Sequence, residues 1–284
     1  MWETDSELES QEGRGNMASQ EYVHGYSDRE NLRLSDQANT LAELLHGDTR
    51  YPPGSQVLEA GCGVGAQTVI LARNSPDACF TSIDISPLSV EQARAAVQRS
   101  GYSNVTFETA DLFALPYPPE HFDHVFVCFV LEHLADPLAA LASLKMVLKP
   151  GGTLTVIEGD HGSTYFHPDS PWARQAVQCL IDLQARAGGD SLIGRRLYPL
   201  LVRAGFRQVS VSPRQVYADA SRPEWVEGFT RNTFTAMVEG VRQQALELGL
   251  LDEVAWERGI ADLYASAGEE GTFCYTFFKA TAVK

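Results

Sequence analysis

Apolar positions recur along the chain in two periods, and they alternate. Residues 22–46 show a helical pattern, with Leu34, Ala38, Leu41, Leu44 and Leu45 apolar. Tyr51-Pro-Pro-Gly54 breaks it. Strand-like runs then follow at 56–60, 79–84, 104–110, 122–130 and 153–158, separated by helical stretches. The run at 122–130 is almost continuously apolar, as a strand covered on both faces requires. Asp136-Pro137 predicts a helix start, a capping carboxylate followed by proline at the first helical position. That helix carries Leu138, Leu141, Leu144 and Leu148, and Lys149-Pro-Gly-Gly152 predicts its end. A further helix is expected over 171–186, and two more strands at 207–217 and 272–282. Between those last strands lie about fifty residues of helical pattern, with Phe234, Met237, Val238, Val241, Ala245 and Leu248 forming one apolar face.

Strands joined by helical crossovers predict an α/β fold, a doubly wound and mostly parallel sheet with right-handed connections. Residues 1–20 are polar and without period and read as a disordered tail. No linker divides the remainder, so 21–284 is expected to form one domain.

The glycine-rich run Val57-Leu-Glu-Ala-Gly-Cys-Gly-Val-Gly65 carries the first chemistry. Glycines at a strand-to-helix junction permit a sharp turn and let a ligand approach the backbone. A structural turn or a dinucleotide site would use glycines as well. Glu59 favours a different ligand: a carboxylate there repels a pyrophosphate but suits an ammonium and a sulfonium. Asp84, 25 positions on at the end of the second strand, can accept from both ribose hydroxyls, or can cap the next helix. Asp111 and Leu112 follow the third strand, where the acid can meet an adenine amino group and the leucine can cover the ring.

Taken in order, Glu59–Gly65, Asp84, Ala110-Asp111, Phe129–His133 and Leu148-Lys-Pro-Gly-Gly152 resemble the class I S-adenosylmethionine-dependent methyltransferases. The likeness is to the small-molecule branch that includes ubiquinone and menaquinone C-methyltransferases, and it covers about residues 40–160. It implies a Rossmann-like seven-stranded sheet with a C-terminal antiparallel strand. It also implies S-adenosyl-L-methionine as cofactor, with Gly61, Cys62 and Gly63 beneath its methionine part, Asp84 and Ile85 at the ribose, Asp111 and Leu112 at the adenine, and Phe129 beside the site. In related enzymes an N-terminal helix with tyrosines closes over the cofactor. Residues 21–50 are therefore expected to form a lid, with Tyr26 bonding the cofactor carboxylate. The helical stretch 218–270 interrupts the family's terminal hairpin and is expected to be a second lid, over the acceptor.

The individual part of the chain is Glu158-Gly-Asp-His-Gly-Ser-Thr-Tyr-Phe-His167, just past the fifth strand. In such sheets ligands bind beyond the carboxyl ends of the strands. His161 and Glu158 are the candidates for proton transfer, since burial can tune either toward neutral pH. Adjacent Asp160 and His161 rarely converge on one ion, and no metal is expected. Glu132-His133 reads as a loop shaping the cofactor site. Tyr165, Phe166, Trp172, Trp225 and Phe229 can line a flat apolar pocket for an indole, a quinone or a natural-product ring.

Charge and cysteine content narrow the classes. There are 22 Lys and Arg against 37 Asp and Glu, a net charge of −15, which disfavours nucleic acid and anionic membranes as partners. No apolar run approaches the length of about 20 residues needed to span a bilayer. The acidic N-terminus lacks a basic region followed by an apolar stretch. Five cysteines without paired spacing read as reduced thiols, so a cytoplasmic protein is expected. Two other readings stay open, a dinucleotide-dependent oxidoreductase and a non-catalytic cofactor binder. The first wants Gly-x-Gly-x-x-Gly, whereas position 66 is Ala.

Overall fold

The computed structural model describes residues 37, 38 and 40–284. The expected tail, Tyr26 and the lid as far as residue 36 lie outside the described residues. Helix α1 (40–46) leads into a seven-stranded sheet: β1 (Gln56–Ala60), β2 (Cys79–Asp84), β3 (Val105–Thr109), β4 (Phe122–Cys128), β5 (Leu148–His167), β6 (Arg207–Ala218) and β7 (Thr272–Val283). The spatial order is β3-β2-β1-β4-β5-β7-β6. Strands β1 to β5 run parallel, and β7 is antiparallel to both neighbours, as expected for the fold class.

The crossover helices start where the chemistry of the chain says they should. In α3 (Pro87–Arg99) the Ser86 hydroxyl accepts from the Ser89 N–H. In α4 (Pro137–Val147) Asp136 accepts from the Ala139 N–H, and in α5 (Pro171–Arg186) Ser170 accepts from the Ala173 N–H. Each has proline in its first turn, where a missing N–H costs nothing. Helix α2 (Ala66–Asn74) starts differently, from Gly65 in the left-handed conformation. A Cβ on Gly65 would lie 2.7 Å from the Ala93 backbone, so this glycine also sets how closely α2 approaches α3.

The sheet has a core on each face. Phe122, Val125, Val127, Leu154 and Val156 pack under α4 and α6 (Leu197–Arg203). On the other face Phe126, Ile157, Phe273, Tyr275 and Phe277 pack with α1, α5 and the insert. Three of the five cysteines are buried, while Cys79 is exposed and Cys274 half-buried.

One expectation needs correction. The fifth strand does not end at residue 158. It continues to His167, paired with β7 over 153–160 and again over 165–167, with a bulge between Asp160 and Tyr165. Gly159 looks like a loop residue locally, but its pairing with Phe277 of β7 overrides that preference, while Gly162 and Ser163 fall in the bulge. The insert is helical, as expected. It comprises α7 (Pro223–Trp225), a π-helix (Val226–Thr235), α8 (Ala236–Gly240), α9 (Arg242–Glu247) and α10 (Glu253–Ala265). Leu248 falls off its apolar face and is exposed.

Candidate active site

Parallel pairing puts the carboxyl ends of β1 to β4 at one edge, and the turns that leave them form a continuous rim. After β1 the chain enters Gly61, Gly63 and Gly65, all at positive φ. The Gly61 and Cys62 N–H groups both donate to the Ile83 carbonyl, at 2.8 and 2.9 Å, tying the loop to β2. A Cβ on Gly61 would strike Val130, so that glycine serves packing. A Cβ on Gly63 would meet nothing within 4 Å. The backbone there faces open space, a cradle that a side chain would fill and a ligand can use. The open backbone at Gly63 with the Asp84 carboxylate beside it fits S-adenosylmethionine.

Asp84 is half-buried at the end of β2. Its carboxylate accepts from the Gly63 N–H at 2.9 Å and from the Ser86 N–H at 3.0 Å. It does not cap α3, a task that Ser86 performs. Ile85, next along, is 67% exposed on the rim. Asp111 holds its own turn, accepting from the Phe113 N–H at 2.8 Å, and Leu112 packs at the margin of the core. Phe129, after β4, is one of three described non-glycine residues at positive φ. Such a conformation costs on the order of 1–3 kcal/mol and tends to collect at ligand sites. Its N–H donates to the Ile157 carbonyl at 2.9 Å, and its ring lies 5.4 Å from that of Phe277.

Glu59 lies beneath the loop and is 2% exposed. The Ser82 hydroxyl donates to its carboxyl at 2.6 Å. Burial pushes the carboxyl up to about 7, against the pull of that hydrogen bond. At neutral pH it is balanced between its two states, and a nearby cation would tip it toward the carboxylate.

Beyond the rim, β5, β7 and β6 continue as a three-stranded wall. Glu158 is fully buried, and its Oε1 accepts from the Val130 and Leu131 N–H groups at 3.1 and 2.8 Å. It thus anchors the 3-10 turn Leu131–His133, in which Glu132 stands 3.5 Å from His133. Burial and the charge of Glu132 raise the Glu158 carboxyl well above the usual carboxylate range. Asp160 is held by Arg195 through two hydrogen bonds, at 2.6 and 2.7 Å. His161 is 5% exposed, its Nδ1 2.7 Å from the Tyr275 hydroxyl and its ring 6.0 Å from that of Phe234.

The structure therefore gathers Glu59, Gly61, Cys62, Gly63, Asp84, Ile85, Asp111, Leu112 and Phe129 along one edge, with Glu158 and His161 on the adjoining wall. The expected pocket lining does not stay together. Tyr165 is 67% exposed and pairs with Cys274, whose side of the sheet is opposite to that of Phe273 and Tyr275. Trp172 is also exposed. Phe229 does stay in the aromatic cluster beside His161, where it is joined by Phe234 of the insert and by Phe273, Tyr275 and Phe277 of β7. Arg195 and Tyr275 were not singled out by sequence. The alternation Phe273-x-Tyr275-x-Phe277 is the signal that marks an inward face.

Residues 52–205 match a family model described as a methyltransferase domain. An uncharacterized 37.1 kDa protein in a transposon of Streptomyces fradiae is 34% identical over 79% of this chain and 64% of its own length. The chain thus spans a little under two thirds of that relative. The 27-O-demethylrifamycin SV methyltransferase of Amycolatopsis mediterranei is 29% identical over 79% of this chain and 77% of its own. In fold, the chain is similar to Haemonchus contortus phosphoethanolamine N-methyltransferase 2 in complex with S-adenosyl-L-methionine. That likeness has a TM-score of 0.53 at 16% identity, over 87% of this chain and 52% of the other. With more than half of its length in the matched domain, the chain belongs to the S-adenosylmethionine-dependent methyltransferase family.

Proposed function

We propose that the protein transfers a methyl group from S-adenosyl-L-methionine to a small molecule with a flat, largely apolar body, such as an indole, a quinone or a natural-product ring. One observation carries the reading: the open cradle at Gly63 and the aromatic cluster around His161 border the same edge of the sheet. When bound, the cofactor supplies a methyl group already activated by its sulfonium. Gly61, Cys62 and Gly63 would bed the methionine part, with Glu59 ionised near the positive charge. Asp84 and Ile85 would hold the ribose, and Asp111 and Leu112 the adenine. Phe129 would border the methyl group. Glu158 and His161 are the polar groups within reach of the acceptor's reacting end. Aligning donor and acceptor in a dry pocket is the protein's main contribution to rate.

The insert covers the acceptor side, since its Phe229 and Phe234 pack on β7 beside His161. The Amycolatopsis relative is named for an O-methylation, which favours an oxygen acceptor here. The test is incubation of the protein with labelled S-adenosylmethionine and a panel of aromatic and lipid-like acceptors, the product being located by mass. Label on a ring compound supports the reading. Cofactor binding with no transfer to any member points to a protein that keeps the cofactor fold for another task.

A further inference from the structure

The wall beyond the rim carries buried oxygens with nothing bound to them. Glu158 is fully buried and spends Oε1 on the Val130 and Leu131 N–H groups, while its Oε2 has no partner among the described residues. Gln184, in α5, is 1% exposed. Its Nε2 donates to the Glu132 carbonyl at 3.3 Å, and its Oε1 is left without a partner. Ser191 is 2% exposed, its carbonyl accepting from the His161 N–H at 2.9 Å and its Oγ unpartnered as well.

All three sit against one short turn, Leu131–His133. Glu158 anchors the turn from β5, and Gln184 holds its Glu132 carbonyl from α5. The Asp190 N–H donates to the same carbonyl at 2.7 Å, which brings the residue before Ser191 against it. Gly189 permits that approach, since a Cβ there would lie 2.5 Å from the carbonyl oxygen. The Glu132 side chain is buried too, and its carboxylate stands 3.5 Å from His133. Among the described residues, neither Glu132 nor Glu158 forms an ion pair with a lysine or arginine. Burial and the charge of Glu132 hold the Glu158 carboxyl well above its usual range, as expected of an acid without a counter-cation.

What these oxygens lack is donors and positive charge. A buried acceptor without a donor is costly, and a buried acid pair without a cation more so. Water supplies donors but no charge. A primary ammonium supplies both, with three N–H groups for the three unpartnered oxygens. The rings of Tyr275 and Phe234, with centroids 5.5 Å apart, stand beside the cluster, and aromatic faces favour a cation. Tyr275 is close enough to feel the acids: burial first, then Glu132, raises its phenol well above the ordinary range.

We propose that Glu132, Glu158, Gln184 and Ser191 form an ammonium subsite, so that the acceptor is a ring compound bearing a primary amine cation. This rests on reading the wall as the acceptor site. The ammonium is an anchor and not the methylated atom, because a protonated nitrogen has no lone pair with which to attack the methyl group. The turn starts two residues past Phe129, so the anchored end lies next to the cofactor edge.

Calorimetry on the full chain, saturated with S-adenosylhomocysteine to prevent turnover, tests the subsite. The probes are matched pairs on benzene, naphthalene and indole rings, each carrying an aminoethyl or a hydroxyethyl side chain. At least one amine should bind roughly tenfold or more tightly than its alcohol, since charge-assisted hydrogen bonds exceed neutral ones. Glu158→Gln should erase that preference, because it keeps the shape and an oxygen for the turn but not the charge. Should that variant not fold, Gln184→Met takes its place and should shrink the preference by about fivefold. Equal binding within every pair, or no binding by any amine, overturns the proposal. So does a preference that survives Glu158→Gln, which would be only the general pull of a chain with a net charge of −15. A preference that Glu158→Gln erases, with no panel member methylated from S-adenosylmethionine, would keep the subsite and sink the acceptor reading. Methylation of ring compounds with no amine preference would do the reverse.

Discussion

The two halves of the edge are built on different principles. From β3 to β4 the side proposed for the cofactor consists of short turns built largely from backbone: three glycines at positive φ, an aspartate holding two N–H groups, a phenylalanine in a left-handed turn. From β5 to β6 the side proposed for the acceptor consists of contacts between distant segments. His161 and Tyr275 are 114 positions apart, Asp160 and Arg195 are 35 apart, and Phe229 and Phe234 come from an insert. The first half is made of backbone, which many sequences can share. The second is made of side chains, so under the proposed function it can vary its acceptor without disturbing the cofactor.

The largest effect should come from removing the insert. Replacing 221–267 with a short Gly-Ser turn would strip Phe229, Phe234, Val238, Trp256 and Leu263 from a core they share with the sheet. The expected outcome is loss of cooperative unfolding in a melting curve. A truncated protein that folds and binds cofactor but no longer methylates would make the insert purely a lid.

Next in size is Gly63→Val, which should abolish cofactor binding in calorimetry while the protein stays folded, because the new side chain occupies the cradle. Gly65→Val is the counterpart. It should fail at the level of folding, since it meets the Ala93 backbone. Equal behaviour of the two variants would erase the distinction between cradle and packing glycine.

On the acceptor side, His161→Ala should lower turnover by about a hundredfold or more, the usual range for a group that assists proton or charge movement. Cofactor affinity should hardly change. A loss of affinity in place of turnover would move His161 across to the cofactor half.

Asp84→Ala should weaken cofactor binding by more than tenfold, with charge-assisted hydrogen bonds contributing roughly 1.5–3 kcal/mol each. Unchanged affinity in a folded variant would leave Asp84 only its bonds to Gly63 and Ser86.

The smallest effect is a pH slope. Glu59 is protonated below about 7 and ionised above it. A cationic ligand prefers the ionised form, so affinity should rise by up to about tenfold per pH unit as pH approaches 7, then level off. Glu59→Gln should flatten that slope. Its effect on stability has a set sign. A buried acid whose carboxyl is raised favours the folded state below its ordinary range near 4.5 and loses that contribution as pH rises through about 7. Glu59→Gln should therefore melt higher than the unaltered protein at pH 8.

Legibility follows the same division. The parallel strands, the capped start of α4 and the glycine-rich turn were readable because periodicity, an Asp-Pro pair and a glycine cluster each show within a short stretch of chain. Periodicity also placed β6 and β7 within one residue of their ends. It did not foresee that β5 would run on to His167, since Gly159 and Gly162 argue locally for a loop, and only pairing with β7 on either side of the bulge carries the strand through. The residue types that sequence singled out at the wall, Glu158 and His161, do lie there. Their surroundings came from elsewhere: the N–H groups of Val130 and Leu131 that anchor Glu158, and the hydroxyl that meets His161.

By itself, then, the sequence determined the fold class, the family and the backbone of the cofactor cradle, because strand alternation, helix caps and glycine turns are short-range properties of the chain. Tertiary structure alone decided which face of β5 meets which face of β7. A sheet's side-chain period is two, and where the bulge between Asp160 and Tyr165 falls settles the facing of everything beyond it. That one feature turns Tyr165 outward and leaves His161 buried against Tyr275 and Phe234.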